Sequence, residues 1–425
     1  MRCGAVCTKI FHIMEFTKKK MWFLALVAAM GGFLFGYDTV VINGAEQQIQ
    51  QVFNLSPALH GWVISSALWG TVIGALFGGK ITDRYGRKPT LCAIGLLYLI
   101  SAVWSALATG AATLVAARFL GGLAVGCSST AAPVYIAEIS PAKSRGLMTA
   151  IFQFDVVLGV LASQFVNLAI GTADGAWRWM LGAEAVPALL FVILCPFLVE
   201  SPRWLAEKAA GRTGKITVKD DAPKFWCRAN LKPILLAFAV AFFNQLSGIN
   251  AVNYFMKRIY MMAGFTDQAA LSLVAMTGVI NAISTMLGMW LIDRVGRRTL
   301  LIAGGTGYVL SLFACAIAFA TGHGTIAAIC VILFIFSHAF GQGTVIWVLV
   351  AEVFPTAIRA QGQSLGAFTH WFCSAMITLI FPIAAAKCTP SSIFFFFGAF
   401  MVAHLLWAIF IVPETKGKKL EDIKL

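Results

Sequence analysis

The sequence predicts an all-α membrane protein, with about twelve spanning helices arranged as two pseudo-symmetric bundles of six. Three observations predict it: a charge-poor composition, a succession of long apolar segments, and an internal repeat. Of the 425 residues, 59% are hydrophobic and only 12% charged, and the mean hydropathy is +0.83. A soluble chain of this length with so few charges would associate or precipitate. A bilayer-embedded chain does not, because lipid covers its apolar exterior.

The apolar segments fall at 21–43, 60–82, 90–109, 112–137, 147–171, 179–199, 232–256, 268–292, 299–320, 325–352, 360–386 and 391–412. Each approaches or exceeds the roughly 20 residues that a spanning helix needs. The longest connection, 200–231, is polar and carries Arg203, Lys208, Arg212, Lys215, Lys219, Lys224 and Arg228. It divides the chain into an N-terminal segment (1–20), a first bundle (21–199), a basic linker (200–231), a second bundle (232–412) and a tail (413–425).

The formal net charge of +14 invites a nucleic-acid reading. The basic residues are not gathered in one folded domain, however; they sit in short clusters between apolar spans. With the N-terminus placed in the cytoplasm, 27 of the 32 Lys and Arg fall on that side, four on the other, and Arg118 within a span. That asymmetry predicts both termini inside, in a plasma or inner membrane. No nucleic-acid partner is expected. The first apolar stretch follows Lys18-Lys19-Lys20 and is read as a spanning helix rather than a cleaved signal.

Ten cysteines form no CxxC and lie mostly singly in apolar spans, so they read as small buried hydrophobes without disulfide or metal. No nucleophile–base pair, metal cluster or phosphate loop is present. The chain is therefore not read as an enzyme, and no cofactor is expected. Glycines at Gly70, Gly74 and Gly78 predict close helix contacts.

The two halves repeat each other. The stretch from Gly79 through Asp83, Arg84, Gly86 and Arg87 recurs from Gly288 through Asp293, Arg294, Gly296 and Arg297, with the aspartates 210 positions apart. Ala137-Glu138 through Pro141 and Arg145 recurs as Ala351-Glu352 through Pro355 and Arg359, 214 positions on. Glu200 recurs as Glu414 at that same offset of 214. Matches in order at nearly one offset imply duplicated six-helix units. In these motifs the Asp is expected to cap a neighbouring helix N-terminus and the Arg to bridge carboxylates. A single copy would be simple loop anchoring. Duplicated with matched glutamates, the set Asp83, Arg84, Arg87, Glu138, Arg145, Asp293, Arg294, Arg297, Glu352 and Arg359 reads as a gating charge latch that holds the two bundles together in an outward-facing state.

These motifs carry a resemblance. Together with Arg118 through Gly126, Ala137-Glu138-Ile139-Ser140-Pro141, Glu200-Ser201-Pro202-Arg203-Trp204, Asn244-Gln245-Leu246-Ser247-Gly248-Ile249-Asn250 and Pro413-Glu414-Thr415-Lys416-Gly417, the chain resembles the sugar porter family of the major facilitator superfamily. That family includes bacterial xylose–proton symporters and animal glucose facilitators. The resemblance runs from about residue 30 to 420. It implies the major facilitator fold and a monosaccharide substrate, hexose or pentose.

Ionisable residues inside spans are costly and usually functional. Asp38, Arg118 and Glu184 are such residues. Proton-coupled relatives resemble this chain in carrying an acid at the Asp38 position, which implies that Asp38 is the proton site, Arg118 its partner and Glu184 an auxiliary. A static ion pair that fixes helix packing is the competing reading. Asp155 has no match in the family pattern.

A sugar needs amides, which donate and accept, and aromatic faces for the apolar side of its ring. The spans supply Gln153, Asn244, Gln245, Asn250, Asn281, Phe35, Tyr254, Trp347 and Trp371, at positions that match the family's sugar contacts. Taken singly, such residues are helix–helix glue or packing. Departures from the family fall at Asn244 (usually Gln), at His370 (often Asn), at Ala339 (Glu in animal facilitators) and at Gly341-Gln342-Gly343, which lacks the usual proline. His338 and His404 read as packing residues.

The expectation is a monomeric carrier importing sugar with a proton by alternating access. A facilitator that only equilibrates sugar is the first alternative. A non-transporting sensor ranks lower, since the 413–425 tail is short.

Overall fold

The computed structural model describes residues 18–141, 145–210, 225–355 and 358–417. Twelve helical segments among them are long and apolar enough to cross a membrane. In a bilayer interior no water is available to satisfy the backbone, so the helix, which pairs its own N–H and C=O groups, is the form an open chain takes there.

The first four spans are continuous: α1 (Lys18–Val52), α2 (Pro57–Tyr85), α3 (Arg87–Ala106) and α4 (Ala111–Ile139), followed by α5 (Arg145–Ile170). The sixth span is broken at Glu184 into α6 (Ala176–Ala183) and α7 (Ala185–Leu194). The linker starts with a short helix, α8 (Pro202–Ala209), whose first turn is capped by Ser201 Oγ accepting from the Trp204 N–H at 3.2 Å. Arg212, Lys215, Lys219 and Lys224 lie outside the described residues.

The seventh span is α9 (Leu231–Leu246) and α10 (Ile249–Met262), interrupted at Gly248 with φ +82°. A Cβ there would sit 2.5 Å from the Phe397 ring, so only glycine satisfies both the left-handed backbone and the close approach. Then come α11 (Asp267–Val295) and α12 (Arg297–Ala320). The tenth span breaks at Gly341 into α13 (Gly324–Phe340) and α14 (Gln342–Glu352). Its interruption falls where the family's proline is missing. α15 (Arg359–Lys387) and α16 (Pro390–Phe410) complete the set.

Two compact units form. The first comprises described residues within 1–45, 66–166 and 175–219; the second takes 46–65, 167–174 and 220–425. The division therefore passes through α1 and α2, so that Glu46–Val52 and Pro57–Ser65 pack with the second unit although the chain places them in the first half.

The first unit's core joins Leu24, Leu34, Tyr98, Tyr135 and Phe191. Its helices approach closely at small residues. A Cβ on Gly36 would lie 1.9 Å from the Val156 carbonyl oxygen, and one on Gly122 1.8 Å from that of Ala67. The Gly70 and Gly74 positions of α2 meet α4 backbone in the same way, with hypothetical Cβ atoms 2.2 Å from Phe119 O and 2.5 Å from Leu123 O. The second unit has its own core around Val240, Leu300, Leu349 and Phe354.

Candidate functional site

The duplicated motifs build the same device twice. In the first unit, Gly86 (φ +106°) separates α2 from α3 and puts Arg87 at the start of α3. Arg87 donates from Nε and Nη2 to the two carboxylate oxygens of Glu138, each at 2.9 Å, and meets Asp83 at 3.1 Å. Ser201 Oγ donates to Glu138 at 2.6 Å. In the second unit, Gly296 (φ +103°) precedes Arg297, which holds Glu352 at 3.1 and 2.9 Å and Asp293 at 3.0 Å, and Thr415 Oγ1 donates to Glu352 at 2.6 Å. Each set is satisfied inside its own unit.

The capping expectation needs correction. The carboxylates at the N-termini of α3 and α12 are Glu200 and Glu414, which accept from the backbone N–H groups of Arg87 (2.9 Å) and Arg297 (3.0 Å). Asp83 and Asp293 stand one turn before the arginines on the preceding helix and are used up in pairing with them. Arg84 and Arg294 are exposed and cover the Tyr85 and Trp290 rings, with centroid distances of 5.4 and 3.9 Å. Arg359 opens α15 half-buried; Arg145 opens α5, and its side chain lies outside the described residues.

Deeper in the first unit lies a charged cluster. Asp38 and Arg118 are 1% and 2% exposed. Arg118 Nη1 donates to Asp38 Oδ1 at 2.5 Å and Nη2 to the Asp38 backbone oxygen at 2.9 Å. Gly121 leaves room for the neighbouring Ser101, since its Cβ would stand 2.5 Å from Ser101 Oγ. Glu184, at the break between α6 and α7, is 1% exposed and lies within interaction range of both Asp38 and Arg118, with its Oε1 unpartnered among the described residues. Two buried carboxylates thus lie near one guanidinium, which bonds Asp38. Phe35 packs against this unit's core, Gln153 is exposed on α5, and Asp155 is half-buried.

The second unit gathers amides. Gln245 Nε2 donates to Asn244 Oδ1 at 3.0 Å and sits 3.2 Å from both ring nitrogens of His370. Asn250 Nδ2 donates to Gln245 Oε1 at 2.9 Å and also bonds Ser374 Oγ. His370 is flanked by Trp347 and Trp371, with ring centroids at 5.0 and 4.9 Å. Tyr254 is buried on α10; Asn281 is half-buried on α11, outside this bonded group. Asn244, Gln245, Asn250, His370, Trp347 and Trp371 therefore converge. Phe35 and Gln153 belong to the other unit.

Sequence reasoning missed two groups. Gln342, fully buried at the start of α14, accepts from Asn244 Nδ2 (3.4 Å) and from Tyr308 OH (3.2 Å), and the Tyr308 OH lies 2.6 Å from His338 Nδ1. His338 is thus a hydrogen-bonded member of a network. The second group is Glu46, His60 and Arg258. Glu46 is fully buried, its Oε2 lies 2.8 Å from His60 Nε2, and Arg258 donates to it at 2.9 and 2.7 Å. The only available signal was an acid and a histidine flanking a short turn at the rim of the first two spans.

The fold and these sites define a membrane transporter assembled from duplicated helical units. The family model for "Sugar (and other) transporter" matches residues 24–221 and 209–425. The chain is 31% identical to the arabinose-proton symporter of Bacillus subtilis, covering 94% of each, and 32% identical to a glucose transporter of Staphylococcus epidermidis, covering 96% and 97%. It superposes on the xylose transporter of Escherichia coli, in a partially occluded inward-open conformation, with a TM-score of 0.82 and 30% identity, covering 95% of this chain and all of that one. The chain belongs to the sugar porter family of the major facilitator superfamily. It is an integral membrane transporter, in a family of carriers rather than enzymes.

Proposed function

We propose that this carrier imports a monosaccharide, a hexose or pentose, together with a proton. The observation that carries this reading is the buried Asp38–Arg118–Glu184 trio. Two carboxylates and one guanidinium are neutral together only with one added proton. In a low-dielectric interior an uncompensated charge is costly, so occupancy by a proton is tied to the local conformation. Asp38 is the proton site in this reading, Arg118 the group that competes with the proton for it, and Glu184 the auxiliary acid.

The sugar is assigned to the neutral cluster of the second unit. Amides donate and accept at any physiological pH, which suits hydroxyls of fixed stereochemistry. Trp347 and Trp371 supply the faces for an apolar ring side. Gln153, Asn281, Phe35 and Tyr254 complete the proposed lining. Transport proceeds by alternating access, with the protein inserted so that both termini face the cytoplasm and acting as a monomer. The duplicated Arg–Glu–Asp sets are the proposed gating elements: their ionic bonds rigidify the ends of each unit, and their rearrangement accompanies reorientation.

Uptake of labelled glucose, xylose and arabinose into proteoliposomes, with and without an inward proton gradient, tests the proposal. Sugar accumulates above its external level only with the gradient, and Asp38→Asn abolishes accumulation while leaving equilibrative exchange. Equal uptake with and without the gradient would make the chain a facilitator and Asp38 a packing partner of Arg118.

A further inference from the structure

Gln342 has no assigned role, and its surroundings are unusual. It is fully buried, it receives two hydrogen bonds on one oxygen, and its Nε2 has no partner among the described residues. A buried unsatisfied donor is costly, so a structure that keeps one requires an explanation. The explanation lies in the direction of the bonds.

Consider each link as donor and acceptor. The Tyr308 hydroxyl has one proton. If His338 carries its proton on Nδ1 and gives it to the Tyr308 oxygen (2.6 Å), the phenol proton is free for Gln342 Oε1 (3.2 Å). That oxygen also accepts from Asn244 Nδ2 (3.4 Å). Asn244 Oδ1 must then face Gln245 Nε2 (3.0 Å), and Gln245 Oε1 must face Asn250 Nδ2 (2.9 Å). The amides can reverse only together: once Tyr308 donates to Gln342 Oε1, every other amide in the run has one orientation that satisfies its neighbours. Rotating the Gln342 amide by half a turn would put its NH2 against the Asn244 NH2, two donors face to face. The run therefore has a polarity, and it starts at Tyr308 and His338 on α12 and α13, neither of which is assigned to the sugar.

We propose that Tyr308, His338 and Gln342 form a positioning relay. It fixes which atoms of Asn244 and Gln245 present donors and which present acceptors, and so sets the carrier's preference among sugar stereoisomers. The inference rests on the sugar assignment made above and deepens it. An amide free to rotate offers a donor or an acceptor to any hydroxyl; an amide locked in one orientation rewards only the stereoisomer that matches. The break at Gly341, with backbone angles of −96° and −98°, directs Gln342 into this run at the first residue of α14. The unpartnered Nε2 is then the cost of holding Oε1 on two donors at once.

The test compares the wild-type carrier with Tyr308→Phe and Gln342→Met, each purified as the full chain and reconstituted. Equilibrium binding of D-glucose, D-xylose, D-galactose and L-arabinose is measured, with KM and kcat for those transported. Each variant is expected to weaken the preferred sugar roughly fivefold to tenfold, the scale of one net hydrogen bond. The ratio of affinities between preferred and disfavoured epimers falls toward one, and the response to the proton gradient persists, since the charged trio lies in the other unit. The ratio is the decisive readout, because a merely structural defect lowers the amount of active carrier and leaves relative affinities alone. Unchanged ratios in a folded variant would overturn the relay, and if one variant fails to fold the other decides. A wild-type carrier that binds none of the four sugars would overturn the sugar assignment itself and the relay with it, an outcome visible before either variant is made.

Discussion

The two units are duplicates in their motifs and differ in the buried polar clusters proposed to carry transport. Arg87, Glu138, Glu200 and Ser201 of the first find counterparts in Arg297, Glu352, Glu414 and Thr415 of the second, bond for bond. Beyond those motifs the likeness ends. The first unit buries charge at Asp38, Arg118 and Glu184; the second buries amides at Asn244, Gln245, Asn250 and Gln342, besides the separate group of Glu46, His60 and Arg258. A charged cluster in low dielectric responds strongly to gain or loss of a single proton. A neutral amide cluster ignores pH and reads hydrogen-bond geometry. The repeated motifs give the two units a common scaffold, and the proposed division between a proton site and a sugar site rests on the buried residues that differ.

The sharpest way to break that contrast is to remove the cation. Arg118→Leu leaves Asp38 and Glu184 buried without their counter-charge. Removing one partner of a buried pair costs about 3–5 kcal/mol. The expected outcome is a carrier that melts far below wild type, or folds only once Asp38 is also neutralised as Asn. Recovery of the melting temperature in Arg118→Leu/Asp38→Asn, measured in detergent, checks it. A single Arg118→Leu variant as stable as wild type would show that the trio is not held by charge.

An intermediate effect belongs to the neutral cluster. His370→Asn keeps a donor and an acceptor but removes the ring between Trp347 and Trp371. The folded carrier should remain within about 1–2 kcal/mol of wild type, as for an ordinary single substitution. Sugar affinity should change severalfold, with the gradient dependence intact. Isothermal titration with a sugar panel reads the first part. Loss of gradient-driven accumulation in this variant would contradict the division of labour between the units.

The contrast was partly legible in the sequence. Spans of twenty apolar residues announce themselves locally, and the offsets of 210 and 214 positions revealed the duplication before any contact was known. Asp38, Arg118 and Glu184 stood out because charge in a span is rare. Pairings were harder. Glu46 lies beyond the apolar segment 21–43, yet the helix continues through it to Val52; its partner Arg258 is 212 positions away, and local pattern carries no trace of so distant a partner. Gln342 was noted only as part of a missing proline, because a lone amide among glycines has no periodic signal. The choice of Glu200 over Asp83 as the helix cap was likewise invisible, for both carboxylates flank the same arginine and only the fold decides which one reaches the open N–H groups.

The smallest expected effect lies in the shared scaffold, at Glu414. Burial alone would favour its neutral form, but the backbone N–H groups of Lys416, Arg297, Arg298 and Thr415 outweigh it and hold the carboxyl below the usual glutamate range. An unfolded glutamate titrates near 4.3. Because the folded value is depressed, the unfolded chain binds more protons in the window between them. The stabilisation is complete above about pH 4.3 and is lost as pH falls through the folded value. An anion at a helix N-terminus contributes about 0.3–1 kcal/mol. Glu414→Gln should therefore lower the melting temperature slightly at pH 7 and flatten its decline between about pH 5 and pH 3, the range over which such a carboxylate protonates. Melting curves across that range compare the two proteins. Parallel slopes would mean that the cap at α12 contributes nothing as a charge, and that this part of the repeated scaffold is held by Arg297 and Glu352 alone.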